Sequence, residues 1–307
     1  MRVAAVDCGT NSIRLLVADV DGAAKRDVHR EMRVVRLGQD VDRTGQLAPA
    51  AIERTRLALV DYAATCRSLD VHRIRMVATS ATRDVHNRRA FTGMVRAVLG
   101  VEPEVISGNE EAVLAFDGAT RGLDPMDGPF LVMDVGGGST ELVLGTSSVE
   151  AALSVDIGSV RLTERHLHDD PPTPAQVAAA RADVDDALVR VRAAVPVEKA
   201  RTAVGLAGSA TTVAALALEL PAYDAERIHL SRIGAQAVES VAARLLTMTS
   251  HQRAQLAVVH PGRVDVIAAG ALVLATLVDR LGIPEVLISE SDILDGIAWS
   301  VTRRGGP

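Results

Sequence analysis

Aromatic side chains are nearly missing from this chain of 307 residues: three Phe, two Tyr and one Trp make 2% of it. Their scarcity excludes the base-stacking platforms that grip single-stranded nucleic acid, and it leaves the cores to Ala, Val, Leu and Ile. No block of Lys or Arg is present and the net charge is −6, which argues against a duplex-binding surface. An anionic ligand must then be held by local Arg, metal and backbone donors. Cysteine is scarce too: Cys8 and Cys66 have no metal spacing and suit a reducing compartment. Cys8 reads as a small buried residue closing a strand. The longest apolar run, Val266 to Val278 between Asp265 and Asp279, falls short of the roughly 20 residues of a membrane span and reads as a core helix. The first residues run straight into a predicted strand with no signal-peptide pattern. The expectation is a cytoplasmic protein with no membrane and no nucleic-acid partner.

What is present is a pattern that occurs twice. Asp7-Cys8-Gly9-Thr10-Asn11-Ser12 follows one apolar run, and Asp134-Val135-Gly136-Gly137-Gly138-Ser139-Thr140 follows another. Each copy reads as strand, carboxylate, Gly/Ser/Thr loop and second strand. Glycine lets backbone approach a ligand, and N–H groups with hydroxyls form a concave donor surface suited to phosphate. Two such loops argue for two like-folded halves facing each other across phosphate groups. If the second turn centres between Gly137 and Gly138, Asp134 lies opposite Glu141. Two carboxylates beside a phosphate cradle call for a divalent cation, and Mg²⁺ is the natural candidate, with Mn²⁺ as the alternative. The same placement on the first copy sets Asp7 opposite Arg14, a cation able to meet phosphate. Against both stands the plain reading of Glu141 and Arg14 as solvated strand residues.

Along the rest of the chain, strands are expected at 2–8, 12–20, 31–37, 74–78, 104–106, 130–145 (a hairpin), 150–156, 203–206 and 286–289. Helices are expected at 49–69, 88–99, 107–120, 175–195, after 207 and from about 292. Strands alternating with helices in both halves indicate α/β layers. The aperiodic stretch 122–128 places a boundary between domains 1–125 and 126–307, with the last helix able to pack back on the first.

Three further segments carry candidate chemistry. Glu110-Glu111 opens a helix, where acids favour the dipole; beside phosphate loops one of them could instead orient or deprotonate a water. Thr79 to Arg83, with Ser80 and Arg83, is either an anion-binding turn or a capped helix start. Gly208-Ser209-Ala210-Thr211-Thr212 has the strand–loop–helix form that welcomes phosphate. His166-Leu167-His168-Asp169-Asp170 reads as a solvent-facing turn rather than a metal tract.

Taken together, Asp7-x-Gly-Thr-Asn-Ser-x-Arg14, Thr79-Ser-Ala-Thr-Arg83, Ile106-Ser-Gly-Asn-Glu-Glu-Ala112, Val132-Met-Asp-Val-Gly-Gly-Gly-Ser-Thr-Glu-Leu142 and Gly208-Ser-Ala-Thr-Thr212 resemble, in order, the exopolyphosphatase / guanosine pentaphosphate phosphohydrolase (Ppx/GppA) family of the actin-like ATPase superfamily. The resemblance implies an α/β protein of two ribonuclease H-like domains with polyphosphate in an interdomain cleft. It implies Glu111 as the base for the attacking water and Asp134 and Glu141 as Mg²⁺ ligands. The phosphate contacts are then Asp7, Gly9, Thr10, Asn11, Ser12, Arg14, Ser80, Arg83, Gly136, Gly137, Gly138, Ser139, Thr140, Gly208 and Ser209, with Arg161 a weaker one. A homodimer and release of terminal orthophosphate from inorganic polyphosphate are implied as well. The rivals are hydrolysis of guanosine pentaphosphate or ATP/ADP, and a silent polyphosphate or alarmone sensor, against which the intact set Glu111, Asp134 and Glu141 argues. Two departures stand out. The extra C-terminal helical domains of longer members have no counterpart here, so a weaker hold on long polymers is expected. Ile293-Leu294-Asp295-Gly296 stands where Leu-Arg-Glu-Gly is expected, without its Arg.

Overall fold

Residues 2–8 form a central strand because every side chain of the apolar run Val3 to Val6 finds cover on both faces of a sheet. The computed structural model describes residues 1–22, 24–83 and 85–303; the last four residues of the expected second domain, 304–307, lie outside it. It divides into two compact units, Met1–Gly118 with the segment from Ile293, and Ala119–Asp292. The second unit is thus inserted in the first, and the division falls before the 122–128 stretch.

Unit 1 runs β1 (Arg2–Cys8), β2 (Ser12–Asp21), β3 (Ala24–Val34), α1 (Val41–Thr44), α2 (Pro49–Ser68), β4 (Arg73–Ala78), α3 (Ser80–Arg83), α4 (Arg88–Leu99), β5 (Glu104–Val105) and α5 (Gly108–Thr120). Its sheet order is β3-β2-β1-β4-β5, antiparallel in the first three strands and parallel from β1 to β5. Pro49 opens α2 at a position where its missing N–H costs nothing. The core under α2 and α4 is built round Tyr62, Phe91 and aliphatic side chains.

Unit 2 runs β6 (Phe130–Val135), β7 (Thr140–Gly145), β8 (Val149–Val155), α6 (Ser159–His166), α7 (Pro174–Ala194), β9 (Thr202–Leu206), α8 (Ala207–Ala217), α9 (Ala225–Ile228), β10 (Arg232–Gly234), α10 (Ala235–Thr247), α11 (Ser250–Ala254), α12 (Ile267–Arg280) and β11 (Glu285–Ile288). Its order, β10-β11-β9-β6-β7-β8, read from the other edge repeats the plan of unit 1, three antiparallel strands then the parallel β9 and β11, and adds β10 as an antiparallel edge strand. This is the α/β architecture of two ribonuclease H-like units. The apolar run 266–278 is α12, buried from Ile267 to Val278. Among the described residues no helix is long and apolar enough to cross a membrane.

The chain returns to unit 1 through α13 (Ile293–Arg303), which packs on β1, β2 and β4. Asp295 is fully buried there and is held by Arg30 and Lys25 of β3, each at 2.8 Å. Leu294, at the position where Arg was expected, is buried. Gly296 lies so close to α5 that an added Cβ would stand 2.0 Å from the Leu114 carbonyl oxygen.

Some expectations need correction. The third strand occupies 24–34, not 31–37: it follows β2 at once and pairs with it down to Asp21↔Ala24, and its charged residues hide the alternation. Of the two forms open to Thr79 to Arg83, residues 80–83 take the helix start. Helix α6 and strand β10 had no counterpart in the expectation.

Candidate functional site

In open α/β sheets, ligand chemistry gathers outside the carboxyl ends of the strands, and in unit 1 those ends carry Asp7 (β1), Thr79 after β4 and Ser107 before α5. Asp7 pairs with Arg14 across the β1–β2 hairpin, in the register the loop spacing predicts. Arg14 Nε and Nη2 donate to Asp7 Oδ2 at 3.0 and 2.7 Å. Glu111, in the first turn of α5, is 8% exposed, and Arg83 Nη1 donates to its Oε2 at 2.5 Å. Burial lifts the Glu111 carboxyl above the ordinary glutamate value; Arg83 opposes this, nearby Asp7 adds to it, and a hydrogen bond from Thr79 opposes it again. A carboxylate so placed is a better proton acceptor than a solvated one. The structure therefore brings together Asp7, Arg14, Arg83 and Glu111, and adds Thr79 as a partner of Glu111. Ser80 is buried at the start of α3.

The loop between β1 and β2 closes with Gly9 N–H donating to Ser12 O at 3.0 Å. The Thr10 carbonyl accepts from Gly38 N–H, and the Asn11 carbonyl from Val35 and Arg36 N–H. In a planar trans peptide the following N–H points the opposite way. With their carbonyls tied to segment 35–38, the N–H groups of Asn11 and Ser12 turn to the other side of the loop.

Unit 2 repeats the device. Gly136 N–H donates to Ser139 O at 3.1 Å. The start of α6 takes three successive carbonyls of the loop: Ser159 N–H donates to Gly136 O, Val160 and Arg161 N–H to Gly137 O, and Arg161 Nε to Gly138 O at 2.7 Å. The N–H groups of Gly137, Gly138 and Ser139 consequently share the opposite side, the concave arrangement that cradles anions. Arg161 here holds the loop. Thr140 turns its hydroxyl to Ile157 O at 2.8 Å.

Asp134 and Glu141 lie directly opposite each other on β6 and β7, as the spacing predicts. Both are buried, Glu141 to 1% exposure, and Ser154 Oγ donates to Glu141 Oε1 at 2.7 Å. Two cross-strand carboxylates are a hard-oxygen donor set, which fits an ion such as Mg²⁺ that keeps its other positions for water and phosphate oxygen. Among the described residues no group of three or more His, Cys, Asp or Glu forms a metal cage; His166 instead pairs with Asp183 at 2.8 Å. The Gly208–Ser209 turn is placed differently from the two hairpins. The Arg263 guanidinium stands where a Cβ on Gly208 would lie, and the Ser209 hydroxyl packs against Gly270 of α12. Cys8 is buried at the end of β1, and burial pushes its thiol up.

The Ppx/GppA phosphatase family model matches residues 16–304. The chain belongs to this family. Exopolyphosphatase 2 of Mycobacterium tuberculosis is 54% identical to this family member over 98% of both chains. The crystal structure of an exopolyphosphatase-like protein is 42% identical and has a TM-score of 0.95 over 99% of each chain. The Ppx/GppA protein of Aquifex aeolicus is 29% identical, with a TM-score of 0.83 over 100% of this chain and 99% of its own. The Gly-rich hairpin of unit 2, the Ser-Gly-Asn-Glu-Glu turn and α13 all fall inside the matched region.

Proposed function

We propose that this Ppx/GppA member is an exopolyphosphatase that hydrolyses the terminal phosphoanhydride of inorganic polyphosphate and releases orthophosphate. The observation that carries the reading is Glu111: buried, raised in basicity by its surroundings, and gripped by Arg83 at the carboxyl end of the unit 1 sheet. Glu111 orients the attacking water and takes its proton as the new P–O bond forms and the bridging P–O bond breaks, leaving the shortened chain with the bridging oxygen. Arg83 fixes the direction of that carboxylate and, with Arg14, offsets phosphate charge. The N–H groups of each glycine loop hold phosphate oxygens in place. Asp134 and Glu141 would hold Mg²⁺, which when bound neutralises charge on the phosphate oxygens. Similarity to Exopolyphosphatase 2, 54% identical over nearly the full length, supports the substrate class.

The test is orthophosphate release from polyphosphate of defined lengths, guanosine pentaphosphate, ATP and ADP, with and without Mg²⁺. Turnover should be highest on polyphosphate and should need the ion. Glu111→Ala should stay folded and lose on the order of 10²–10⁴ in rate, the usual size for a lost general base. Near wild-type turnover in that variant removes Glu111 from the reaction, and preference for a nucleotide moves the assignment to nucleotide polyphosphate hydrolysis.

A further inference from the structure

Glu110, the neighbour of Glu111, has its own arginine. Arg75 of β4 is 6% exposed, and its Nε and Nη2 fork Glu104 of β5 at 3.0 and 2.8 Å. The same Nη2 donates to Glu110 Oε1 at 3.0 Å, and Nη1 donates to Ser300 Oγ of α13 at 2.5 Å. A guanidinium is planar with its donors in a fixed fork, so the bidentate grip on Glu104 sets its plane and thereby the place where Glu110 must dock. The dipole preference for acids in a first turn accounts for neither arginine.

We infer that Arg75 and Glu110 are positioning residues that set the direction in which α5 presents Glu111. This rests on the reading of Glu111 as the water-orienting base. Consecutive residues of a helix diverge by about 100° around its axis. Glu110 is held by Arg75 within β4, and Glu111 by Arg83 in α3, the next helix along the chain. One stretch, β4 through α3, therefore fastens the first turn of α5 in two directions. Held in one direction the turn can roll about its axis; held in two it cannot. Glu110 is the register pin, and the carboxylate that does chemistry is aimed by the one that does not.

The experiment measures kcat and KM for orthophosphate release, the pH profile of kcat and the thermal midpoint in Glu110→Ala, Glu110→Gln and, as control, Glu111→Gln. Glu110→Ala leaves Arg75 its Glu104 and Ser300 partners, so folding should survive. It should lower kcat about 10- to 100-fold, the range for a small misplacement of a reacting group, hold KM, and shift the acid limb of the profile. Glu110→Gln keeps an oxygen for Arg75 and should recover most of kcat. If Glu110→Ala does not fold, Glu110→Asp, which draws the carboxylate back by one methylene, should show the same kcat loss on a smaller scale. Unchanged kcat with an unmoved acid limb, while Glu111→Gln is inactive, overturns this inference alone. Loss of kcat and stability together with an unmoved acid limb marks a merely structural role and also overturns it. An active Glu111→Gln overturns the reading beneath it.

Discussion

At the scale of single residues, the pairing of Glu111 with Arg83 sets two opposed demands. The proposed reaction uses ionised Glu111, yet burial favours its neutral form. The folded-state pKa lies above the unfolded one, so this group's contribution to stability is fully present below the ordinary glutamate value and is lost as pH rises through the raised value. Glutamine imitates the neutral form. Urea unfolding of wild type and Glu111→Gln across pH 4 to 8 should therefore show wild type losing ground to the variant as pH rises, with the variant at least as stable at neutrality. A wild type that loses ground on acidification would contradict the sign. In the active enzyme the same shift should bring the acid limb of kcat in above the range of a solvated carboxylate.

At the scale of elements, the glycine loops depend on what lies behind them. Gly158, just before α6, comes so close to the unit 2 loop that an added Cβ would stand 2.5 Å from the Gly137 carbonyl oxygen. Gly158→Ala should push that loop out of place, cost about 1–3 kcal/mol as overpacking does, and reduce turnover beyond what the stability loss explains; denaturant titration with phosphate-release assays checks both. The two hairpins were the most legible part of the sequence: once each Gly/Ser turn is centred between its apolar strands, Asp7↔Arg14 and Asp134↔Glu141 follow by counting. Helix α6 was not legible: SVRLTERH is short and mostly polar, and what makes it a helix is docking under the loop. Strand β3 was misplaced because Lys25, Arg26, Arg30 and Arg33 carry its outer edge. Arg263 over Gly208 and Arg75 beside Glu110 are long-range meetings, and no local pattern announces them.

At the scale of the whole molecule, the order of the chain separates the two units. Unit 2 is one continuous stretch, Ala119–Asp292, with its own core, whereas unit 1 needs α13 to cover β1, β2 and β4. A fragment of residues 119–292 should fold cooperatively by circular dichroism. A chain ending at Asp292 should keep unit 2 and lose the cooperative transition of unit 1, since the partners of Lys25 and Arg30 leave with Asp295. The single tryptophan makes the difference visible. Trp299 lies buried in α13 with Lys25 over its ring at 5.7 Å, so its emission should follow unit 1 while circular dichroism follows both. Coincident emission changes in the isolated events of unit 2 would refute that assignment.

Insertion also reverses a usual schedule. Domains generally complete themselves in the order in which the ribosome delivers them, but here β1, β2 and β4 must wait for a helix made after the whole of unit 2. While the second unit closes its core, β1, β2 and β4 stay uncovered until α13 emerges. The newborn first unit thus waits, while all of unit 2 is made, with the α13 side of its sheet open, a stage at which holding chaperones have most to grip.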